Sequence, residues 1–125
     1  MDAGRAGEFL CAFLLEKHFG LVVHHVRTTE DDLWCRNENG TVIRVQVKSA
    51  NLGNRNRYEY YTGTLHGADV YAFVALGIDL MLLKPPDFIG KKTRININKK
   101  KFTLHNMITT GNELLAQYNL PESKG

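Results

Sequence analysis

Ile43, Val45 and Val47 recur at every second position between Thr41 and Ser49, with Arg44, Gln46 and Lys48 between them. A period of two belongs to a strand with one buried face, because successive side chains leave the backbone on opposite sides. A second short run, Leu33 to Arg36, lies just upstream, and Asn39-Gly40 between the two marks a hairpin turn. Two loop lengths suit that turn. A two-residue loop pairs Leu33 with Gln46 and Cys35 with Arg44, mixing apolar and charged residues on one face. A three-residue loop, with Gly40 left-handed as a bulge, pairs Asp32 with Gln46 and Trp34 with Arg44 instead. Leu33 and Cys35 then join Ile43, Val45 and Val47 on an apolar face. One slip exchanges every side chain between core and solvent, so the second register is expected. Asp32 then faces Gln46, with Lys48 one step along. Asp31 points away, as a solvated charge at a strand start.

The rest of the chain frames this hairpin. Residues 3–19 are rich in Ala, Leu, Glu and Phe and lack Pro, which predicts a helix with Gly20 as its C-cap. Leu21 to Val26 is a short β-branched run, a first strand. From Asn51 to Gly67 the chain is polar, a helix or loop. Asp69 to Leu76 is almost continuously apolar, the pattern of a central strand. Gly77-Ile78-Asp79 turns the chain into a strand over Leu80 to Leu83, which Pro85-Pro86 ends. Lys91 to Phe102 alternates weakly and is a strand or hairpin. Asn112 to Tyr118 is a short terminal helix. This order gives an α/β domain with a mixed sheet, without repeats or linkers.

Of the 125 residues, 43% are hydrophobic and 23% charged, which suits one domain with a modest core. No apolar run approaches the ~18–20 residues of a membrane span, and the first residues lack a signal-peptide pattern. A cytoplasmic or nucleoid-associated protein is expected. Cys11 and Cys35 both sit in apolar-patterned segments and are expected as buried free thiols. His24 and His25 face opposite sides of a strand, and His18, His66 and His105 lack a partner at metal-binding spacing. Zinc is therefore not expected.

The polar face of the hairpin suits other chemistry. A hard cation such as Mg²⁺, or Mn²⁺ in its place, takes oxygen ligands. Asp32 supplies a charged one, the Gln46 amide a neutral one and the Val47 carbonyl a backbone one. Glu8 is the candidate second carboxylate. It shares a helix stripe with Cys11, Ala12, Leu15 and Phe19, where a lone acid is costly unless paired or metal-bound. Gly4 and Ala12, one turn either way, would let that helix approach the sheet. Lys48 can orient an attacking water or neutralise charge on a phosphate. Together these groups point to phosphodiester hydrolysis.

Gly7-Glu8, Asp32-Leu33, Val45-Gln46-Val47-Lys48-Ser49-Ala50 and Asp69-Val70-Tyr71-Ala72-Phe73-Val74 resemble, in that order, the PD-(D/E)xK phosphodiesterase superfamily. The likeness is to its Holliday-junction-resolvase-like and intron-endonuclease-like branches, some of which carry Gln in place of the motif acid. It implies a restriction-endonuclease-like α-β-β-β-α-β core with a mixed central sheet flanked by helices, as one nuclease-like domain over residues 1–125. It also implies metal binding by Glu8, Asp32 and Gln46, with Lys48 assisting hydrolysis. Two positions depart from the pattern: no Pro precedes Asp32, and Gln46 stands where an acid is usual.

Lys91, Lys92, Arg94, Lys99, Lys100 and Lys101 put six cations into one late segment with no acid among them, and Arg44, Arg55 and Arg57 add more. Clustered cations bind polyanions by counterion release. Tyr58, Tyr60 and Tyr61 beside Arg55 and Arg57 could contact sugars or stack on bases. Asp69 is expected as a structural anchor at a strand start, and Trp34 either braces the site or lies in an oligomer interface. The expectation is a Mg²⁺-dependent DNA endonuclease, acting on duplex or branched and junction DNA as a homodimer or higher oligomer. The alternatives are an inactive nucleic-acid-binding module with the same fold, and an interaction subunit of a larger assembly.

Overall fold

In the computed structural model, which describes residues 3–26, 32–63 and 67–118, the three-residue loop is the one that forms. Gly40 is left-handed at φ 82°, where a side chain would clash with the backbone. Its N–H donates to the Asn37 carbonyl (3.0 Å), and the Asn37 N–H donates to the Thr41 carbonyl (3.2 Å). Strand β2 (Leu33–Arg36) therefore pairs with β3 (Val42–Ala50) as Leu33↔Val45, Trp34↔Arg44, Cys35↔Ile43 and Arg36↔Val42. Leu33, Cys35, Ile43 and Val45 are buried, while Trp34, Arg36, Val42 and Arg44 are exposed.

Around this hairpin run, in chain order, α1 (Ala3–Phe19), β1 (Val22–His25), β4 (Arg57–Tyr61), β5 (Val70–Ala75), β6 (Leu80–Lys84), α2 (Pro86–Ile89), β7 (Arg94–Asn98) and α3 (Leu104–Leu115). Five strands form a mixed sheet in the order β1-β2-β3-β5-β6, in which only β3 and β5 pair in parallel. All of β5 is buried, which its unbroken apolar run requires. Val70, Ala72 and Val74 face one core with Cys11, Leu15, Met107 and Leu114 of the two long helices. Tyr71, Phe73 and Ala75 face a second core on the opposite side.

The second core is covered by strands. The segment expected as helix or loop after β3 turns through Asn54–Asn56 and becomes β4, which pairs antiparallel with β7 in a separate two-stranded sheet. Its period is the reason: Tyr58 and Tyr60 alternate with Arg57, Glu59 and Tyr61, so one face can be buried. Tyr60 packs edge-on against Phe73 at 5.0 Å, and its hydroxyl donates to the Val74 carbonyl at 2.9 Å. Helix α3 starts at Leu104, well before the expected Asn112. Thr103 caps it by accepting the Asn106 N–H at 3.0 Å, and Met107, Gly111, Leu114 and Leu115 form its buried stripe.

Helix α1 ends at Phe19, with Gly20 left-handed at φ 67° after it, as expected, and crosses the sheet at β3. The close approach is made by Gly7, not by Gly4, which is exposed, although Ala12 is buried. A Cβ on Gly7 would overlap the side chain of Ser49. Gly7→Ala is expected to lower stability by about 1–3 kcal/mol despite its better helix propensity, because it overpacks this contact. Adding Ser49→Gly should restore part of that loss in denaturant unfolding. Equal stability of wild type and Gly7→Ala would show that the contact does not set the helix position.

Candidate active site

The β2–β3 ladder stops at Leu33↔Val45, and a side chain makes its next rung. The Val47 N–H donates to Asp32 Oδ2 at 2.8 Å. The Asp32 backbone is held on both sides: its N–H donates to the Val45 carbonyl at 3.2 Å, and its carbonyl accepts the Val26 N–H at 3.1 Å. The carboxylate is thus fixed at the point where β2 leaves β3. In an extended strand the N–H and C=O of one residue point the same way. The Val47 carbonyl therefore opens on the side that β2 vacates.

Gln46 and Lys48 flank this residue on the other face of β3. Gln46 is buried, and its Oε1 has no hydrogen-bond partner among the described residues. A buried amide oxygen without a donor costs about 1–3 kcal/mol, so the position invites a ligand. Lys48 is half-buried. Burial pushes its ammonium below the ordinary value of 10.5, and the Asp32 carboxylate acts in the opposite direction. Its counter-charge is thus the same acid that caps Val47.

Glu8 is half-buried on α1, next to the Gly7–Ser49 crossing. The buried thiol of Cys11 reports on its surroundings. Burial raises its pKa first, then Cys35, Asp32 and Glu8 add to the rise, so both carboxylates lie within electrostatic range of one atom. Burial likewise pushes the Cys35 thiol up to about 12, and both cysteines are free and buried, as expected. Among the described residues no three His, Cys, Asp or Glu side chains group as a metal site. The oxygens that could serve a hard cation are instead mixed: Asp32, the unpartnered Gln46 amide oxygen, the Val47 carbonyl and Glu8 of α1. Asp31 and His66 lie outside the described residues.

The basic residues sort differently. Arg44 is braced: its Nη2 donates to the Gly67 carbonyl at 2.8 Å, and its Nε lies 3.5 Å from Asp69. Asp69 is the strand anchor expected of it, accepting the Arg44 N–H at 2.9 Å and donating its own N–H to the Arg44 carbonyl at 2.9 Å. Arg55 is exposed at the turn before β4, left-handed at φ 61°, and Arg57 opens that strand half-buried. Lys91 and Lys92 are exposed before β7, and Lys99, Lys100 and Lys101 are exposed just after it. Arg94 pairs with Glu59 at 2.9 Å. Tyr58 corrects the expectation of a base-stacking ring: it is 1% exposed and edge-on to Phe102 at 5.1 Å. Tyr60 is equally buried, which leaves Tyr61, at 63% exposure with Arg94 over its ring, as the accessible one of the three. Asn96 and Asn98, not singled out from the sequence, share the exposed face with them; the alternation Arg94-Ile95-Asn96-Ile97-Asn98 is the signal that places them there.

No protein-family model and no curated protein matches the chain. Among solved structures, a bacterial homing endonuclease, I-Ssp6803I, is similar over 94% of this chain and 94% of its own, with a TM-score of 0.69 at 19% sequence identity. The chain has a homing-endonuclease-like fold. That fold is the expected mixed sheet with flanking helices.

Asp32→Asn keeps an acceptor for the Val47 N–H but removes the charge that counters burial of Lys48. The Lys48 pKa is therefore expected to fall further, read by side-chain NMR titration; an unchanged midpoint would show that the two groups do not interact. The sign for stability follows. Burial makes the folded chain release this proton below 10.5, while the unfolded chain keeps it to that value. Stability from this group thus rises with pH between the two midpoints.

Proposed function

We propose that the chain is a metal-dependent DNA endonuclease whose site is Asp32, Gln46, Lys48 and Glu8. The observation that carries this reading is the unpartnered buried Oε1 of Gln46 beside a fixed Asp32 carboxylate and a half-buried lysine. The endonuclease named for the similar solved structure supports the same chemistry, as does the resemblance to the PD-(D/E)xK superfamily. Asp32, the Gln46 amide oxygen, the Val47 carbonyl and Glu8 would hold Mg²⁺ or Mn²⁺. When bound, that ion would neutralise phosphoryl oxygens and acidify a coordinated water. Asp32 is kept in position by the Val47 N–H. Lys48, whose charged form the Asp32 carboxylate favours, would orient water or take up charge developing on the phosphate. The exposed cations around the β4–β7 sheet would hold the DNA backbone.

The test is a cleavage panel of duplex, junction, flap and single-stranded DNA with Mg²⁺, Mn²⁺ or EDTA. Cleavage of a double-helical or branched substrate is expected with metal alone. Asp32→Asn and Lys48→Ala should each lower it at least about 100-fold while the far-UV spectrum is unchanged. Full activity in either variant would remove these residues from the site. Gln46→Glu, which adds the charge the usual motif carries, should tighten Mn²⁺ binding in calorimetry.

A second reading, a DNA-binding module that retains the fold without cleaving, is favoured by one observation: position 46 is an amide, and among the described residues no three His, Cys, Asp or Glu side chains group together. Binding without metal-stimulated cleavage on the whole panel would establish it. In either case a homodimer is the expected form, because one chain of 125 residues reaches little duplex and a two-fold pair offers two sites. Light scattering at working concentration should give the mass of two chains or more; a monomer would count against it.

A further inference from the structure

The β4–β7 sheet has two unlike faces. Tyr58, Tyr60, Ile95 and Ile97 are buried against Phe73, Phe102 and Leu82. The opposite face carries three cross-strand pairs, Arg57↔Asn98, Glu59↔Asn96 and Tyr61↔Arg94. Nothing in the second core needs this outer row, and Asn is a poor strand residue. Asn98 caps the turn after β7 by accepting the Lys100 N–H at 2.9 Å, but Asn96 and two arginines have collected on the same face without such a role in the core.

We propose that this outer face reads base edges in the major groove of B-form duplex DNA. The inference rests on the DNA-directed reading above and names the element that gives it sequence preference. Shape is the first argument, since the major groove admits a two-stranded antiparallel ribbon. Chemistry is the second. Arg57 and Arg94 match the two acceptors of guanine, Asn96 matches the acceptor and donor of adenine, and Glu59 can accept from cytosine. A face built only to hold phosphates would not keep an acid at its centre, yet Glu59 lies there, 2.9 Å from Arg94.

Spacing is the third argument. Alternate residues of a strand lie about 6.7 Å apart, so the three outward positions cover about 13 Å, close to four base pairs at about 3.4 Å each. The phosphate-seeking charges sit at the ends rather than among the readers. Lys99, Lys100 and Lys101 follow the Arg57↔Asn98 end, and Lys91 and Lys92 precede the Tyr61↔Arg94 end. Backbone contacts position and base contacts specify, and here the two sets are separated along the ribbon. The inner face is locked by the Tyr60 hydroxyl on Val74 and by the Phe73 contact, so the readers stand on a rigid support. A-form RNA is not a fit, because its major groove is too narrow for a ribbon.

The test is selection from a randomised duplex pool by the full chain in EDTA, followed by competition between the selected duplex, a scrambled one and an RNA duplex of the selected sequence. Wild type should enrich a pattern of about four base pairs and discriminate against RNA. Asn96→Ala and Arg57→Ala should each relax preference at their own position, lowering the selected-to-scrambled ratio about tenfold. Asn96→Asp, which keeps shape but removes the donor, should do the same if the alanine variant is unstable. Substituting Lys99, Lys100 and Lys101 together by Ala should weaken all duplexes alike and flatten the salt dependence. Two results overturn the proposal while leaving metal-dependent cleavage standing: no preference in wild type, or a preference that survives the Asn96 and Arg57 substitutions. Failure to bind any duplex at low salt overturns both this proposal and the DNA-directed reading.

Discussion

A slip of one residue between β2 and β3 would put Leu33 and Cys35 into solvent and carry Asp32 away from the Val47 N–H, so core and candidate site depend on the same register. The device that sets it is Asn37. Its Oδ1 accepts the N–H groups of Asn39 (3.0 Å) and Thr41 (2.9 Å), which closes the loop around left-handed Gly40. Its Nδ2 donates to the Tyr118 carbonyl at 3.0 Å, tying the hairpin to the segment after α3. Tyr118 in turn donates its hydroxyl to the Asp69 carbonyl at 3.4 Å, and Asp69 anchors the parallel junction between β3 and β5. Each such bond contributes only about 1 kcal/mol, but leaving buried Asn37 unpaired costs more. The chain of contacts joins the turn to the crossover through side chains far apart in sequence.

That register makes the two faces of the sheet unequal. One is covered from end to end by α1 and α3. The other is covered over β5 and β6 by the β4–β7 ribbon, whose core includes Phe73, Ala75 and Leu82 but no side chain of β1 or β2. Over β1, β2 and the start of β3 this face stays open, with Val22, Trp34 and Val42 each at least 43% exposed. Gln46 and Lys48 lie between the covered and open halves. Gln46 sits in register with Tyr71 of the covered half, and Lys48 with Phe73. Their partial burial follows from this position: close enough to the ribbon to lose water, near enough to the open half to be reached by a substrate.

Much of this was legible in the residues, and the part that was not has physical causes. Alternation with one buried face identified the hairpin and its loop. The unbroken apolar run identified β5 because both of its faces are covered. Strand β4 was obscured by tyrosines, which suit a core as well as a stacking surface; only the partner strand, some forty residues away, decides that Tyr58 is interior. Helix α3 was shortened by Thr109, Thr110 and Gly111, residues that weaken local helix preference. Packing overrides that preference: Gly111 leaves room for the Phe19 ring, which a side chain there would overlap. At the site, the sequence identified which groups share a face but not that the Asp32 carboxylate would replace a backbone rung.

The amide at position 46 acquires a reason in this setting. A second carboxylate there would be buried beside Asp32, and like charges in a poorly hydrated position disfavour each other. Two acids near one lysine would make the empty site depend on a cation for its stability. With Gln46, the local charges of Asp32 and Lys48 balance, so folding of the hairpin does not call for a cation. In the proposed metal site the cost would fall on ion binding, because a neutral oxygen attracts a divalent ion less strongly than an acid does. Under that proposal Glu8 would supply further negative charge. It is delivered by a helix held against β3 through Gly7, so the distance between acid and hairpin is set by a side chain that is missing rather than by one that is present.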